Sequence, residues 1–296
     1  MSTKSLFKGS CVALITPFTE EGVNFEELER LIEFQIKEGT DAILMLGTTG
    51  EPSTMSDAEK QEVIKFAVKR VAGRVPVIAG AGGNNTQKVI ADAKKAEELG
   101  ADGLLLITPY YNKCTQGGLV EHFTLVAGST GLPAILYNVP SRTGVNLLPS
   151  TLDRLADHEN IWGIKEACCN FEQICEAIKV CQGRIEFYSG DDAVTYPTMA
   201  MGGSGVISVT ANVIPRFMKE LTQAWFDGDI EKAQQMHFKL LPFSKACFIE
   251  VNPIPIKAAA KMMGLCGGRL RLPLTEIEPQ NRQKLEKAMR DFGLLS

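Results

Sequence analysis

The sequence predicts an α/β fold in which eight parallel strands, each followed by a helix, close into a (β/α)8 TIM barrel with a C-terminal helical extension. Eight short apolar runs, separated by segments with helical patterning, occupy the first 210 residues. Each run is apolar nearly throughout, which is typical of parallel strands covered on both faces. Capping signals in the intervening segments predict that helices separate the strands.

The predicted strands follow one another at the spacing expected when a helix separates each pair. They span residues 11–17, 42–47, 75–80, 103–109, 133–138, 161–167, 185–190 and 205–210. A capping residue followed three positions later by Glu or Gln marks the start of a helix. The pairs with this spacing are Asn24 with Glu27, Ser56 with Glu59 and Asn170 with Gln173.

The chain after residue 210 predicts four helices, of which the first completes the barrel. We therefore predict a barrel over residues 1–228 and a C-terminal helical domain over residues 229–296, packed together because no linker separates them. A doubly wound open sheet is the alternative fold. The glycine-rich segment 80–85 has Asn85 where a dinucleotide-binding motif needs its last glycine, so we interpret it as a strand–helix loop.

The composition is that of an ordinary globular protein, with 45% hydrophobic residues and a net charge of −4. Basic residues do not cluster, so we expect no nucleic-acid partner. No apolar run is long enough to span a membrane, and the N-terminal residues lack the pattern of a secretory signal. We therefore expect a cytoplasmic protein with no membrane partner.

The eight cysteines form no CxxC pair, and most lie among aliphatic neighbours. We expect them to be small core residues rather than disulfide partners. The three histidines are scattered and lack the spacing of zinc ligands. We therefore expect no metal site and no cofactor.

Barrels of this kind hold their active sites at the C-terminal ends of the strands. The residues expected there are Thr48 and Thr49 after strand 2, Tyr110 and Tyr111 after strand 4, Tyr137 and Arg142 around the end of strand 5, Lys165 in strand 6, Gly190 after strand 7 and Ile207 in strand 8. Hydroxyl groups, one arginine and one lysine would then surround a single opening.

Lys165 lies inside an apolar run, where lysine is uncommon because its ammonium group loses hydration. Strand alternation predicts that Lys165 points into the barrel together with Gly163 and Ile161. Trp162 and Ile164 would then face the helices. Burial favours the neutral form of an amine, and a neutral amine attacks carbonyl groups to form Schiff bases. Lys165 is therefore a candidate nucleophile.

The alternative for Lys165 is an ion pair with Asp191 or Asp192. Hydroxyl groups at neighbouring strand ends favour the imine interpretation, because they relay protons without adding charge. Arg142 would either bind a substrate carboxylate or be an ordinary loop arginine. We expect the two aspartates to cap the next helix rather than bind a metal, and segment 202–205 to form a turn rather than a phosphate site.

Six motifs occur in an order and at a spacing typical of one family. They are GTTGE at 47–51, TPYYN at 108–112, YNVPSRTG at 137–144, GIKEA at 163–167, SGDD at 189–192 and GVISVTAN at 205–212. With NPIPIK at 252–257 and RLPLT at 271–275, nearly the whole chain resembles the 4-hydroxy-tetrahydrodipicolinate synthase family, also called dihydrodipicolinate synthases. Each motif alone is weak, but the ordered set is specific.

The resemblance implies a carbon–carbon lyase or synthase that works through a Schiff base, like a class I aldolase. Lys165 would bind pyruvate covalently, and the resulting enamine would attack L-aspartate 4-semialdehyde, in diaminopimelate and lysine biosynthesis. The family is usually a homotetramer built as a dimer of dimers. No metal or cofactor is implied.

The resemblance also implies a role for each site residue. Tyr137, Thr48 and Tyr111 would form a proton relay, with Tyr111 contributed by a neighbouring subunit. The substrate-binding residues would be Thr49, which helps to hold pyruvate, Arg142, which binds the semialdehyde carboxylate, and Gly190 and Ile207, whose backbones line the pocket.

The chain departs from the family at the pocket where lysine inhibits some members. That pocket uses a serine, an alanine, two histidines, an asparagine, a glutamate and a tyrosine. The matching positions here are Pro52, Ser53, Asp57, Lys60, Asn84, Lys88 and Tyr110. Lys88 replaces the carboxylate that would meet the amine of lysine, so like charges would face each other. We predict weak or absent lysine inhibition.

Three other functions remain as alternatives. N-acetylneuraminate lyase and the keto-deoxy-sugar-acid aldolases share the lysine and the strand-5 tyrosine, but Arg142 and the Thr48–Thr49 pair favour the synthase. A phosphate-binding barrel isomerase would need a glycine-rich loop after strands 7 and 8, whereas segment 202–205 precedes strand 8. A non-catalytic binding module is disfavoured by the complete set of relay residues.

Overall fold

The structure, a computed structural model, describes residues 4–295 and contains a closed barrel of eight parallel strands in sequence order. The outer ends of the two predicted domains, residues 1–3 and 296, lie outside the described residues. The strands are β1 (Gly9–Ala13), β2 (Ala42–Met45), β3 (Val77–Gly80), β4 (Gly103–Ile107), β5 (Ala134–Asn138), β6 (Ile161–Glu166), β7 (Glu186–Ser189) and β8 (Gly205–Ser208). The predicted (β/α)8 fold is confirmed, although β1 begins two residues before its predicted position.

Helices connect the strands and form the outer layer of the barrel. They are α1 (Phe25–Lys37), α2 (Asp57–Val71), α3 (Thr86–Glu98), α4 (Gln116–Ala127), α5 (Pro140–Thr143), α6 (Pro149–Leu155), α7 (Phe171–Cys181), α8 (Thr195–Ala200), α9 (Pro215–Phe226), α10 (Ile230–Cys247), α11 (Ile254–Met262) and α12 (Pro279–Phe292). The three predicted caps are confirmed: Asn24, Ser56 and Asn170 each accept a hydrogen bond from the backbone three residues on. Asn85 caps α3, so segment 80–85 is a strand–helix loop.

Strand alternation divides the core into two layers. The inner layer fills the barrel and consists of side chains such as Cys11, Ala13, Leu44, Ile78, Leu105, Ile135 and Tyr188. The outer layer lies between strands and helices and contains Val12, Ile43, Leu104, Leu28 and Val63 among many others. Burying these two apolar layers is the main stabilising contribution to the fold.

The predicted alternation along β6 is wrong at its first residue. The register between β5 and β6 shifts, so that Ala134 pairs with Ile161 but the next residue, Ile135, pairs with Gly163. This bulge inserts one extra residue into β6. Side chains that precede the bulge therefore lie on the opposite face of the sheet from the one that simple alternation predicts. Ile161 therefore packs in the outer layer, between the barrel and the helices. Lys165 lies after the bulge and points into the barrel, as predicted.

The four helices predicted after residue 210 are confirmed as α9 to α12. Helix α9 packs against β1, and α10 packs against both α9 and α12. Phe292 of α12 lies between Phe217 and Phe243, with ring centroids 5.0 Å and 5.1 Å away. These contacts join the C-terminal extension to the barrel, while the division at residues 228 and 229 stays a prediction.

All eight cysteines are free within residues 4–295. Four are buried as expected, namely Cys11, Cys181, Cys247 and Cys266, whereas Cys169 is exposed. Within the same range, no helix combines the length and apolar character that crossing a membrane requires. No cluster of three or more metal-ligating side chains occurs in the described chain.

Candidate active site

A cavity of about 530 Å³ opens at the C-terminal ends of the strands, where the sequence predicts the site. The structure brings six predicted residues together in its wall: Thr48, Thr49, Tyr137, Arg142, Lys165 and Gly190. Three predicted residues do not line it, of which Tyr110 lines a neighbouring cavity instead. Ile207 is fully buried in the inner core layer, with Val209 lining the cavity near it, and Tyr111 extends into solvent.

Lys165 reaches the cavity from inside the barrel wall and is only 4% exposed. Its amine lies 4.5 Å from the centre of the Tyr137 ring, because the two residues are paired across β5 and β6. A Cβ at Gly190 would lie 2.8 Å from Ala167 Cβ and 3.1 Å from Lys165 Cγ, so glycine there avoids crowding beside the lysine stem. The space at Gly163 is instead filled by the ring of Tyr188.

The two aspartates near Lys165 are engaged elsewhere. Asp191 accepts a hydrogen bond from Ala193 N and caps a short 3₁₀ helix, as predicted. The prediction that Asp192 also caps this helix is wrong, because Asp192 lies inside the turn and accepts hydrogen bonds from the backbones of Val209 and Thr210, both at 3.0 Å. Within residues 4–295 neither forms an ion pair with Lys165. The structure therefore favours the nucleophile over the ion-pair alternative.

A second pair of side chains lies behind Tyr137 and Lys165, on the outer face of the same strands. Asn138 and Glu166 are paired across β5 and β6, and Asn138 Nδ2 donates to both carboxylate oxygens of Glu166, at 3.0 Å and 3.2 Å. Cys168 N also donates to Glu166, at 2.9 Å. These bonds hold the strand ends that carry the phenol and the amine.

Burial raises the pKa of Glu166 to about 7, against an ordinary value of 4.5, and the hydrogen bond from Asn138 only partly opposes this. A raised folded pKa contributes stability that is present below pH 4.5 and is lost as pH rises through 7. We expect the unfolding free energy of the wild type, relative to Glu166→Gln, to fall by about 3 kcal/mol between pH 4.5 and about pH 8.

Urea denaturation at several pH values measures this difference. Glu172→Gln, at an exposed position in the first turn of α7, is the matched control. Its unfolding free energy, plotted against pH, should run parallel to that of the wild type. If the unfolding free energies of the wild type and Glu166→Gln also changed in parallel with pH, Glu166 would not have the raised pKa.

The loop after β2 carries Thr48 and Thr49 in a 3₁₀ turn, and contacts from the C-terminal extension hold it, including a hydrogen bond of 3.1 Å from Arg271 N to Glu51 Oε2. Asn252 Nδ2 donates to Thr49 Oγ1 at 2.9 Å. Glu51 follows the turn in a left-handed conformation, with φ of 55°, and forms an ion pair with Lys257 in which both side chains are buried. Burial lowers the pKa of Lys257, while Glu51 opposes that shift.

Sequence reasoning missed Asn252 and Lys257 as parts of the site, although both belong to the NPIPIK motif. For Lys257 a signal was present. It is a lysine among Ile254, Ile256 and three alanines, which is the same pattern that singled out Lys165. No such signal marked Asn252, because its partner Thr49 is 203 residues away.

Arg142 lies at the mouth of the cavity and is exposed. Its Nη2 donates to the backbone carbonyl of Asn252 at 3.2 Å. This one bond orients the guanidinium while leaving its other N–H donors available. An arginine so placed can bind a carboxylate that approaches from solvent.

Tyr111 is 91% exposed and has a φ of 70°, which is rare for a residue with a large side chain. The loop is held by Asn84 and Asn112: Asn84 Nδ2 donates to Tyr110 O, and Asn112 Nδ2 donates to Asn84 O. Strain of this kind occurs at functional positions and costs about 1 to 3 kcal/mol. The tyrosine is therefore presented outward rather than toward the cavity of its own chain.

The glycine-rich segment 202–205 lies at the N-terminal end of β8, opposite the cavity. Gly202 and Gly203 donate their backbone N–H groups to Met199 and Thr198. A Cβ at Gly205 would lie 1.9 Å from Gly9 O, so close strand packing requires glycine there. The segment is a turn, as predicted.

Comparison with known proteins agrees with this geometry. A model of the dihydrodipicolinate synthetase family matches residues 6–291. A 4-hydroxy-tetrahydrodipicolinate synthase from Thermoanaerobacter sp. (strain X514) is 53% identical over 291 residues, which cover 98% of this chain and 98% of the relative. The chain belongs to the dihydrodipicolinate synthetase family.

Solved structures of dihydrodipicolinate synthases share the fold. The enzyme from Aquifex aeolicus superposes with a TM-score of 0.95 at 49% identity, covering 97% of this chain and 99% of that one. The chloride-inhibited enzyme from Acinetobacter baumannii, complexed with pyruvate, superposes with a TM-score of 0.96 at 42% identity. The match covers 98% of this chain and 100% of that one. The predicted family, synthase function and carbon–carbon lyase class are therefore confirmed.

The positions that match the lysine pocket of some family members in sequence include Asp57, Lys60 and Lys88. A second cavity, of about 310 Å³, meets the first at Tyr137 and is lined by Asp57, Lys60 and Asp92. The amine of Lys88 binds Asp57 and Asp92, each at 3.0 Å. The hydrogen bond from Lys88 lowers the pKa of Asp57. Both carboxylates are therefore already paired with an ammonium group of the chain itself.

We expect sub-millimolar lysine to leave the synthase activity unchanged, because Lys88 holds the carboxylates that an incoming ammonium group would need. Initial rates measured over a range of lysine concentrations test this, with a lysine-sensitive member of the family as the control. Half-inhibition at sub-millimolar lysine would contradict the prediction.

Proposed function

We propose that this chain condenses pyruvate with L-aspartate 4-semialdehyde through a Schiff base on Lys165, in diaminopimelate and lysine biosynthesis. The observation that supports this most directly is the buried Lys165 amine. It opens into a 530 Å³ cavity, lies 4.5 Å from the Tyr137 ring centre and has no carboxylate partner within residues 4–295. A desolvated amine without a counter-ion is suited to attack a carbonyl.

The first half-reaction joins pyruvate to the enzyme. Lys165 Nζ attacks C2 of pyruvate, and water leaves as the iminium forms. Loss of a proton from C3 gives the enamine, for which the iminium nitrogen accepts the electron pair. Tyr137, Thr48 and Tyr111 carry these protons, while Thr49 and the backbone of Gly190 shape the pyruvate pocket.

The second half-reaction uses the aldehyde. The enamine carbon attacks the aldehyde carbon of L-aspartate 4-semialdehyde, and the resulting alkoxide takes a proton from the relay. The amino group of the bound intermediate then attacks C2, closes the ring and displaces the lysine amine. Arg142 holds the carboxylate of the semialdehyde at the cavity mouth. One water is released for each product formed.

The assay that tests this proposal measures pyruvate-dependent consumption of L-aspartate 4-semialdehyde by the purified protein. N-acetylneuraminate cleavage is run in parallel. Turnover of the semialdehyde alone supports the proposed substrates. Cleavage of N-acetylneuraminate alone would overturn them, and borohydride trapping of pyruvate would then show whether Lys165 still forms the imine.

We also propose that the protein acts in the cytoplasm as a homotetramer, a dimer of dimers, in which Tyr111 enters the site of a neighbouring subunit. The exposure and outward presentation of Tyr111 support this arrangement. A relay residue donated across an interface would make the dimer necessary for catalysis, because neither chain alone holds the full relay.

Mixing two inactive variants tests the shared site. In a dimer of a Tyr111→Phe chain and a Lys165→Ala chain, one site combines an intact Lys165 with an intact Tyr111. Co-expression should therefore restore about a quarter of the wild-type activity per subunit, given random pairing. Each variant alone is the control, and a mixture no more active than the two alone would contradict a Tyr111 contributed by the partner.

A further inference from the structure

We propose that Asn252, in the C-terminal extension, is a positioning residue that orients the Thr49 hydroxyl toward pyruvate; this inference rests on the proposed function. Asn252 follows α10 and precedes α11, is 5% exposed and lines the cavity that holds Lys165. It is placed to connect the helical extension with the loop after β2.

The direction of the hydrogen bond determines what Thr49 can do. Asn252 Nδ2 donates to Thr49 Oγ1 at 2.9 Å, so the hydroxyl oxygen acts as an acceptor in this bond. The hydroxyl proton of Thr49 is then free to be donated to another group. A carboxylate such as that of pyruvate is the acceptor that such a donor would favour. Asn252 therefore sets the donor direction of a substrate-binding hydroxyl.

The burial of Asn252 supports a functional role over a purely structural one. Its Oδ1 is buried and has no hydrogen-bond partner within residues 4–295. An unpaired buried acceptor reduces stability, whereas an apolar side chain of similar size would not. The unpaired oxygen of Asn252 thus lowers the stability of the fold. The hydrogen bond that its side chain does make goes to Thr49, a residue of the cavity wall.

Asn252 contacts Arg142 in a different way from Thr49. Arg142 Nη2 binds the backbone carbonyl of Asn252 at 3.2 Å, so a side-chain substitution leaves this bond in place. The side chain of Asn252 should therefore affect the pyruvate half-reaction. The semialdehyde half-reaction, in which Arg142 acts, should change little. A general loss of structure would affect both.

The test compares Asn252→Ala and Asn252→Asp with the wild type in steady-state kinetics and in the rate of borohydride-trapped pyruvate adduct. We expect kcat/KM for pyruvate to fall about 10- to 100-fold in Asn252→Ala, the loss typical of one hydrogen bond in a preorganised site. We expect kcat/KM for the semialdehyde to stay within about twofold. Asn252→Asp should be at least as impaired, because a carboxylate would draw the Thr49 proton away and repel pyruvate.

A double-mutant cycle with Thr49→Val shows whether Asn252 acts through Thr49. The variant Thr49→Val with Asn252→Ala should be no slower than Thr49→Val alone, because the shared bond is already lost. Asn281→Ala is the matched control. Asn281 lies in the same extension and donates to Glu250 Oε1 at 2.9 Å, away from the cavity. It should leave both half-reactions unchanged.

Several results would overturn the proposal. Asn252→Ala within twofold of the wild type for pyruvate, additive losses in the cycle, equal losses for both substrates, or full activity in the isosteric Asn252→Asp variant would each remove the positioning role. Absence of any pyruvate adduct on the wild-type protein would instead overturn the proposed function, and the role of Asn252 with it. The two failures are therefore distinguishable.

Discussion

Replacing Lys165 with alanine is expected to abolish the pyruvate adduct trapped by borohydride and to lower turnover by about 10⁴-fold or more, because no other group supplies the imine nitrogen. The fold should be retained. Lys165 is buried and has no carboxylate partner in the part of the chain that the structure describes, so its removal also removes the cost of desolvating an amine. Mass spectrometry of the trapped protein and circular dichroism measure the two effects.

Lys245→Ala is the matched control, because Lys245 lines the same cavity but is exposed. It should keep the adduct and most of the activity. Normal turnover by Lys165→Ala, or an adduct that persists in that variant and disappears in Lys245→Ala, would contradict the assignment of the nucleophile.

Replacing Lys257 with methionine is expected to lower the free energy of unfolding by about 3 to 5 kcal/mol. The substitution leaves the Glu51 carboxylate buried without its counter-ion. It also removes the donor that Lys257 supplies to Arg269 O at 2.7 Å. The turn carrying Thr48 and Thr49 should loosen as well, so activity should fall with stability.

Urea denaturation of Lys257→Met measures this loss. Adding Glu51→Gln should recover part of it, since the unpaired charge is then absent. Lys287→Met is the control, because Lys287 forms an ion pair with Asp291 on the exposed face of α12 and should cost well under 1 kcal/mol. Equal losses at Lys257 and Lys287 would contradict a stabilising role for the buried pair.

The sequence was sufficient to predict the eight strands, the capped helices and the inward direction of Lys165. These features depend on local patterns: continuous apolar runs, capping spacings and alternation along one strand. The resemblance then predicted six residues that the cavity brings together. The predictions that succeeded therefore rest on neighbours in sequence or on an ordered set of motifs.

The facing of Ile161 could not be predicted in this way, because the bulge exists only in the pairing of β6 with β5. Single-strand alternation contains no information about a neighbour's register. The roles of Asn252 and Asn138 depend on partners brought together by the fold, namely Thr49 and Glu166. Such tertiary hydrogen bonds leave no periodic signal in the sequence.

The bond between Thr49 and Asn252 joins residues that are 203 positions apart. During translation, the loop after β2 leaves the ribosome long before its partner is synthesised. A nascent chain that has already paired all eight strands still lacks the groups that hold Thr49, Glu51 and Arg142. The strands of the barrel and the contacts that hold its site residues thus come from different parts of the chain, and the site is complete only when both parts are present.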